Sequence, residues 1–142
     1  MKTTPYKRRA YYYETDKMGI VHHSNYVRIL EESRVDLMTK AGLPFTMVEQ
    51  MGLMIPVLAV QLEYKFPLRF DDEFEVICRL TDFNGCKFSV KYEVNNLTTG
   101  KLALTAETKH CFTDENLMPV RLKKKFPEVY EKFSQYVDKG ED

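Results

Sequence analysis

One stretch of this chain decides how the rest is arranged: Tyr11-Tyr12-Tyr13-Glu14-Thr15-Asp16-Lys17-Met18-Gly19-Ile20-Val21-His22-His23-Ser24-Asn25-Tyr26. It begins with a tyrosine-rich segment that predicts a strand over residues 7–14. It continues through a loop with one acid, Asp16, and one glycine, and then enters the longest amphipathic helical pattern in the sequence. Ser24 and Asn25 are residue types that favour the N-cap, so the helix is predicted to begin there.

This arrangement places an acid just ahead of a helix start. The first N–H groups of a helix have no partner inside the helix, and they can polarise a carbonyl or bind an anion. A carboxylate beside them can act as a base or as a nucleophile. Asp16 therefore has two interpretations, a turn residue after a strand and a catalytic carboxylate.

The length and composition predict a single globular domain spanning residues 1–142. Twenty-one basic residues balance twenty-one acidic ones, so no attraction to nucleic acid is expected. No run of about 18 apolar residues occurs, so no membrane span is predicted, and the polar start of the chain is not a secretory signal. The three cysteines lack metal-ligand spacing and predict reduced thiols in a cytoplasmic protein.

Apolar residues at helical spacing predict a long helix over residues 25–41. Its apolar face is predicted to contain Tyr26, Ile29, Leu30, Ser33, Leu37, Met38 and Ala41. Gly42 is expected to end this helix in the left-handed conformation. A short helix is predicted over residues 44–51, with Pro44 in its first turn, and a last helix over residues 127–137. Residues 116–125 between them are predicted to be a polar, basic connection.

Period-two alternation predicts four further strands after Gly52. Asn84-Gly85 predicts a tight hairpin turn between two of them, and residues 95–100 predict a second. Consecutive hairpins imply an antiparallel sheet, and the long helix is the only large apolar partner for its face. The predicted fold is α+β: a curved antiparallel sheet of about five strands wrapped around a long central helix, with a C-terminal helix.

The histidines allow more than one interpretation. His22 and His23 could be loop residues or a metal pair with Asp16, although adjacent histidines on a regular element point apart and the ligand set is incomplete. His110 falls on the apolar side of its strand, which favours a buried, hydrogen-bonded structural histidine.

Charged residues outside the loop are also open to two interpretations. Glu31 fits a surface ion pair with Arg28 or Arg34, or a supporting carboxylate roughly 9 Å along the helix axis from Asn25. Lys65, Arg69 and the basic run of residues 121–125 could be solvated surface or could meet the phosphates of a nucleotide-bearing ligand. The sequence contains no nucleophile elbow, phosphate-binding glycine loop or dinucleotide fingerprint.

Three motifs together are similar to one known family. They are Tyr13-x-Thr15-Asp16-x-x-Gly19-Ile20-Val21-x-His23-x-Asn25-Tyr26 with Glu31-x-x-Arg34, then Leu62-Glu63-Tyr64, then Phe70-Asp71-Asp72-Glu73. The first resembles the hot-dog-fold acyl-CoA thioesterases, in particular the 4-hydroxybenzoyl-CoA thioesterase-like branch, and the other two resemble that family's second and third strands. The similarity extends over residues 6–112.

The resemblance implies a hot-dog fold, a homodimer or homotetramer with active sites shared between subunits, and hydrolysis of an acyl-CoA thioester to free acid and coenzyme A. It implies that Asp16 is the nucleophile or general base and that His23 is a second catalytic residue. A backbone N–H at the helix start, by position that of His23, would polarise the thioester carbonyl. Lys65 and Arg69 would meet the coenzyme A phosphates, and no metal or redox cofactor is expected.

A non-catalytic module that binds acyl-CoA or acyl-carrier protein on the same fold is the alternative, because fold does not determine activity. The presence of Asp16 argues against it. A hot-dog dehydratase is a second rival, but its pattern, with Asp and His further apart on the helix side, does not occur here.

Overall fold

A computed structural model of the chain describes residues 3–138. Five strands form one antiparallel sheet in the order β1-β3-β4-β5-β2. The strands are β1 (Tyr6–Arg9), β2 (Val57–Tyr64), β3 (Glu73–Phe83), β4 (Lys87–Asn96) and β5 (Leu102–Cys111). The helices are α1 (His23–Lys40), α2 (Phe45–Gln50), α3 (Leu122–Lys125) and α4 (Pro127–Ser134). This arrangement confirms the predicted α+β class and the strand number.

The long helix α1 packs on the sheet through the face that its periodicity predicts. Tyr26, Ile29, Leu30, Leu37 and Met38 are buried in one core with residues of β3, β4 and β5. Ser33 lies on the same face, and its hydroxyl donates to the carbonyl of Leu30. Gly42 ends the helix with φ = 80°, as predicted, since this conformation suits a residue without a Cβ.

The central hairpins follow the turn signals in the sequence. Asn84 closes the β3–β4 turn, because its side-chain oxygen accepts from the N–H groups of Cys86 and Lys87. Asn96 closes the β4–β5 turn in the same way, accepting from Thr98 and Thr99. These two turns hold the three central strands in register.

The first strand is shorter than predicted. β1 ends at Arg9, and residues Tyr12–Glu14 form a 3₁₀ turn instead of a continuing strand. The carboxylate of Glu14 causes this change by accepting from the N–H of Tyr11 at 2.8 Å, which turns the backbone away from the sheet. The tyrosine run indicated a strand, but these tyrosines project outward and are exposed.

The basic connection is also more ordered than predicted. Residues Leu122–Lys125 form the short helix α3, because Leu122 is fully buried and anchors the turn to the core. The following helix α4 ends at Ser134, short of the predicted end at residue 137. Phe133 of α4 packs edge-to-face on Phe83, Phe88 and Phe112 at centroid distances of 4.8–5.1 Å.

Strand β2 lies at one edge of the sheet and differs from its prediction in burial. Its alternating apolar face was expected to face a core, yet Leu58, Val60 and Tyr64 are 52%, 44% and 50% exposed. One side of β2 pairs with β5, and the other pairs with no strand of residues 3–138. Across the same residues, no helix combines the length and apolar character needed to cross a membrane.

Candidate active site

Asp16 lies in a compact turn that its own backbone closes. Its N–H donates to the carbonyl of Ile20 at 2.9 Å, and its carbonyl accepts from the N–H of Gly19 at 3.0 Å. Gly19 has φ = 77°, a left-handed conformation that strains most side chains. On either side of the turn, Thr15 and Val21 form an antiparallel bridge. The turn therefore presents Asp16 at a defined point.

The turn is tied to the rest of the molecule from two directions. The N–H of Val21 donates to the carbonyl of Leu68 at 2.8 Å, and Ile20 bridges to Arg69. The carbonyl of Glu14 accepts from the N–H of His22 and from the side-chain amide of Asn25, both at 2.8 Å. These contacts hold the turn and the start of α1 as one unit.

A buried ion pair anchors the residues before the turn. The guanidinium of Arg8 donates to both carboxylate oxygens of Glu14, at 2.9 and 2.8 Å, and its Nε donates to Glu32 of α1 at 2.8 Å. The hydroxyl of Tyr6 also donates to Glu32. Burial by itself raises the pKa of Glu14, but the hydrogen bonds from Arg8 and Tyr11 and the Arg8 charge outweigh it and hold that pKa below its usual value.

The helix begins two residues earlier than predicted, with His22 as its N-cap. The His22 Nδ1 accepts from the N–H of Ser24 at 3.2 Å and lies 2.8 Å from the Ser24 hydroxyl. The sequence favoured Ser24 or Asn25 for this role because hydroxyl and amide groups are the usual caps. Here an imidazole nitrogen supplies the acceptor, and Asn25 is engaged with Glu14 instead.

The cap leaves the first N–H of the helix available. His23 is the first residue of α1, and among residues 3–138 its N–H has no hydrogen-bond partner. A helix of 18 residues carries a partial positive charge at this end. The N–H of His23 is therefore a donor for an incoming oxygen.

Asp16 and His23 line the same cavity, which has a volume of about 320 Å³. Tyr26 and Tyr64 form part of its wall, with ring centroids 5.6 Å apart. The Tyr26 hydroxyl accepts from the N–H of Leu68, and the Tyr64 hydroxyl donates to the carbonyl of His23 at 3.3 Å. These tyrosines hold the helix start against the edge of the sheet.

The carboxylate of Asp16 is only partly engaged. Its Oδ1 accepts from the N–H of Met18 at 2.8 Å, and its Oδ2 has no partner within residues 3–138. The cavity thus combines a carboxylate oxygen with a helix N-terminal N–H. This pair is suited to attack on a carbonyl and to stabilisation of the resulting oxyanion.

Sequence comparison assigns the whole chain to a known family. The model of the thioesterase-like superfamily matches residues 12–133. The chain belongs to this superfamily. A putative esterase from Aquifex aeolicus is 42% identical over 108 residues, 75% of this chain and 81% of that protein. A putative acyl-CoA thioesterase from Bacillus subtilis is 34% identical over 125 residues, 85% of this chain and 90% of that protein.

Structural comparison leads to the same family. The crystal structure of a DHNA-CoA thioesterase from Staphylococcus aureus matches with a TM-score of 0.87 and 30% identity, covering 93% of this chain and 89% of that one. These similarities confirm the predicted family, the hot-dog fold and the enzyme class, a thioester hydrolase.

The other charged residues that the sequence singled out do not all lie at the Asp16 cavity. Lys65 lines the Asp16 cavity, and its ammonium group pairs with Glu63 at 3.3 Å. Arg69 is exposed and does not line that cavity, although its backbone bridges to Ile20. Glu31 lines a different cavity beneath α1, and the predicted ion pairs of Glu31 with Arg28 or Arg34 do not form within residues 3–138.

The histidines follow the predictions in part. The rings of His22 and His23 lie 4.3 Å apart at an angle of 31°, so they face each other and do not point apart as expected. His110 is 1% exposed and its Nε2 lies 2.7 Å from the Thr108 hydroxyl, which confirms a buried, hydrogen-bonded histidine. Burial, together with the charge of Arg34, lowers the pKa of His110 to about 4.

Sequence reasoning missed the residues that hold the Asp16 cavity in place. Arg8 and Glu14 are six positions apart, with no regular element to bring them together. Tyr64 of β2 contacts His23, at the start of α1, from 41 positions away in the sequence. One signal was available for Glu14. An acid three positions after the residue that begins a turn, here Tyr11, can accept from the N–H of that residue.

Proposed function

We propose that this thioesterase hydrolyses an acyl-CoA thioester at the Asp16 cavity. One observation carries the proposal: Asp16, which has an unengaged carboxylate oxygen, and His23, which has a partnerless N–H, line the same cavity. The names of the relatives from Bacillus subtilis and Staphylococcus aureus, an acyl-CoA thioesterase and a DHNA-CoA thioesterase, support the class of substrate.

In the proposed reaction the thioester carbonyl accepts from the N–H of His23. Positive potential at the start of α1 favours the negative charge that develops on the carbonyl oxygen. This N–H requires no reorganisation, because the cap by His22 already leaves it free of the protein's own acceptors.

Asp16 then acts by one of two routes. As a general base it takes a proton from water, whose oxygen attacks the carbonyl carbon and expels the coenzyme A thiolate. As a nucleophile its carboxylate displaces the thiolate to give a mixed anhydride, which water cleaves. Either route consumes one water and yields a free acid and coenzyme A. The imidazole of His23 orients the water or returns a proton to the thiolate.

Coenzyme A would enter along the edge of the sheet. Lys65 lines the cavity and is exposed enough to reach a phosphate after leaving Glu63, whereas Arg69 would meet a phosphate only outside the cavity. The elements of residues 3–138 would act as one domain, assembled as a homo-oligomer through the unpaired edge of β2.

The test of this function measures free thiol from a panel of acyl-CoAs that vary in length and aromaticity. The wild-type protein should release thiol from at least one of them, and an absence of release across the panel would contradict the proposal. A multiple-turnover reaction in ¹⁸O-labelled water distinguishes the routes. Label incorporated into the Asp16 carboxylate, detected by peptide mass spectrometry, indicates the nucleophilic route with water attacking the Asp16 carbonyl. An unlabelled Asp16 indicates the general-base route only if hydroxylamine also traps no acyl-enzyme, because water that attacks the acyl carbon of the anhydride leaves Asp16 unlabelled.

A further inference from the structure

A second cavity, of about 90 Å³, lies beneath α1 and contains a feature that the Asp16 chemistry does not use. Its wall is mainly apolar, including Leu37, Phe45, Val57 and Val90. The one buried polar residue in this wall is His110, with its ring stacked on Phe88 at 4.9 Å. A polar group in such a place costs free energy unless it has a hydrogen-bond partner.

A chain of hydrogen bonds favours one tautomer of His110. Arg34 can only donate, and its Nη1 donates to the hydroxyl of Tyr92 at 3.1 Å. The Tyr92 hydroxyl lies 2.5 Å from Thr108 Oγ1, and either oxygen can donate; because Tyr92 already accepts from Arg34, we assign the donor role to Tyr92. Thr108 in turn directs its hydrogen to the Nε2 of His110 at 2.7 Å. This direction gives every hydroxyl hydrogen in the chain an acceptor, and it makes Nε2 an acceptor.

The remaining nitrogen of His110 is therefore an N–H donor. A neutral imidazole carries one hydrogen, and with Nε2 as acceptor that hydrogen is on Nδ1. Within residues 3–138, Nδ1 has no hydrogen-bond partner, and the only fully enclosed, partnerless side-chain polar atom is Thr81 Oγ1. Nδ1 of His110 is thus not fully enclosed by protein atoms, and His110 lines the cavity.

We propose that this cavity receives the far end of the acyl group, and that the Nδ1–H of His110 donates a hydrogen bond to an oxygen on it. The substrate class is then an acyl-CoA whose acyl group is apolar but ends in a hydroxyl, phenol or keto oxygen. This proposal rests on the proposed function for the position of the thioester. A plain alkyl end would fill the apolar wall but leave the buried N–H without a partner.

The position of β2 indicates how an acyl group reaches His110. Val57, at the start of β2, lines the His110 cavity, and Tyr64, at its end, lines the Asp16 cavity. Seven residue steps separate them, roughly 23 Å along an extended strand. Antiparallel pairing of the free β2 edges of two copies along their whole length would bring Val57 of one copy beside Tyr64 of the other. The acyl group attached at one Asp16 would therefore enter the His110 cavity of the second copy.

Binding of non-hydrolysable thioethers tests the hydrogen bond without any turnover. S-butyl-, S-hexyl-, S-octyl- and S-benzyl-CoA are titrated by calorimetry beside the same compounds with a terminal or para hydroxyl. For at least one pair we expect the hydroxylated compound to bind about three- to tenfold more tightly, as one neutral hydrogen bond provides. His110→Phe should reduce that ratio to about one, while Lys109→Gln, at the adjacent exposed position, should leave it unchanged.

Equal affinity within every pair, or a preference that survives in His110→Phe, would overturn the assignment of His110. The failure of the proposed function gives a different result, because a protein that releases no thiol from any acyl-CoA can still discriminate between these thioethers. If His110→Phe does not fold, ¹⁵N NMR of the wild type decides. The Nδ1 of His110 should be protonated and its proton should shift when the hydroxylated thioether binds. A proton on Nε2 instead would refute the proposal.

Co-expression of two variants tests the contribution of the second copy. Asp16→Asn should lose roughly a hundredfold or more in activity but should keep His110, and its residual thiol release, measured alone, is subtracted. His110→Phe should keep Asp16 but lose the preference for a hydroxylated thioester substrate. With Asp16→Asn in large excess, most His110→Phe chains pair with it, and the preference in thiol release should return to the wild-type ratio. A preference that stays lost in the mixture would contradict the pairing across β2.

Discussion

At the scale of the residue, Asp16 has a structural twin elsewhere in the chain. Asp114 closes a similar turn: its N–H donates to Met118, its carbonyl accepts from Leu117, and its Oδ1 accepts from Asn116 at 2.8 Å. Asp114 does not line the Asp16 cavity. Comparing substitutions at the two residues therefore separates the contribution of the turn to stability from the contribution of the cavity to catalysis.

Asp16→Asn should keep the turn and remove the chemistry, because an amide can accept from Met18 but is neither a base nor a nucleophile. We expect hydrolysis of acyl-CoA to fall by roughly a hundredfold or more, while the free energy of unfolding changes by less than about 1 kcal/mol. Asp114→Asn should retain both activity and stability. Thiol release and urea unfolding of the two variants provide the comparison, and an active Asp16→Asn protein would return Asp16 to a purely structural role.

His23 permits a separate test of its ring and its N–H. His23→Ala removes the ring alone, whereas His23→Pro also removes the N–H. Proline suits the first position of a helix, and the φ and ψ of His22, −64° and 138°, are compatible with a following proline. If the N–H stabilises the oxyanion, kcat of His23→Pro should be roughly a hundredfold below that of His23→Ala. Equal kcat values in two folded variants would exclude the N–H from the reaction.

At the scale of the element, the connection between β1 and α1 depends on the ion pair of Arg8 and Glu14. Both side chains are enclosed, with 9% and 5% exposure. Breaking a buried pair leaves one charge without compensation, so Glu14→Gln should lower the free energy of unfolding by about 3 kcal/mol. Asp36→Asn is the matched control, because the Asp36–Lys40 pair is more exposed and should contribute less than about 1 kcal/mol.

The same pair gives a pH dependence with a definite sign. The pKa of Glu14 is lower in the folded protein than in the unfolded chain. Its stabilising contribution is therefore fully present above the unfolded pKa of about 4.3, and it is lost as the pH falls through the folded value. As the pH falls from 7 to 3, the free energy of unfolding, measured with urea, should decrease less steeply in Glu14→Gln than in the wild type. Parallel curves would show that another carboxylate is responsible.

At the scale of the whole molecule, the exposed edge of β2 predicts association. Apolar residues on a strand with a free edge favour pairing with a second copy, and Val60 lies near the middle of β2. Val60→Lys places a charge there and should shift the protein towards monomer in light scattering at micromolar concentration. Leu97→Lys, in the β4–β5 turn and 40% exposed, should leave the assembly unchanged. A wild-type protein that is monomeric at this concentration would contradict the prediction.

The parts of the fold that depend on local pattern could be predicted from the amino-acid sequence. Spacing of Tyr26, Leu30 and Leu37 specified the buried face of α1, and Asn84 with Gly85 specified a hairpin, because periodicity and turn chemistry act over a few neighbouring residues. The motif around Asp16 and His23 likewise indicated the family and the enzyme class. Both residues lie close together along the chain, on either side of one turn.

Which distant residues act with that motif depends on tertiary packing and could not be predicted. His22 caps the helix while the Asn25 side chain donates to the carbonyl of Glu14, and Arg8 of β1 holds the carboxylate of Glu14. The donor on His110 depends on Arg34, which lies on α1 far from it in sequence. Hydrogen bonds and ion pairs are satisfied by whichever group packing brings near, so no period or spacing in the sequence records them.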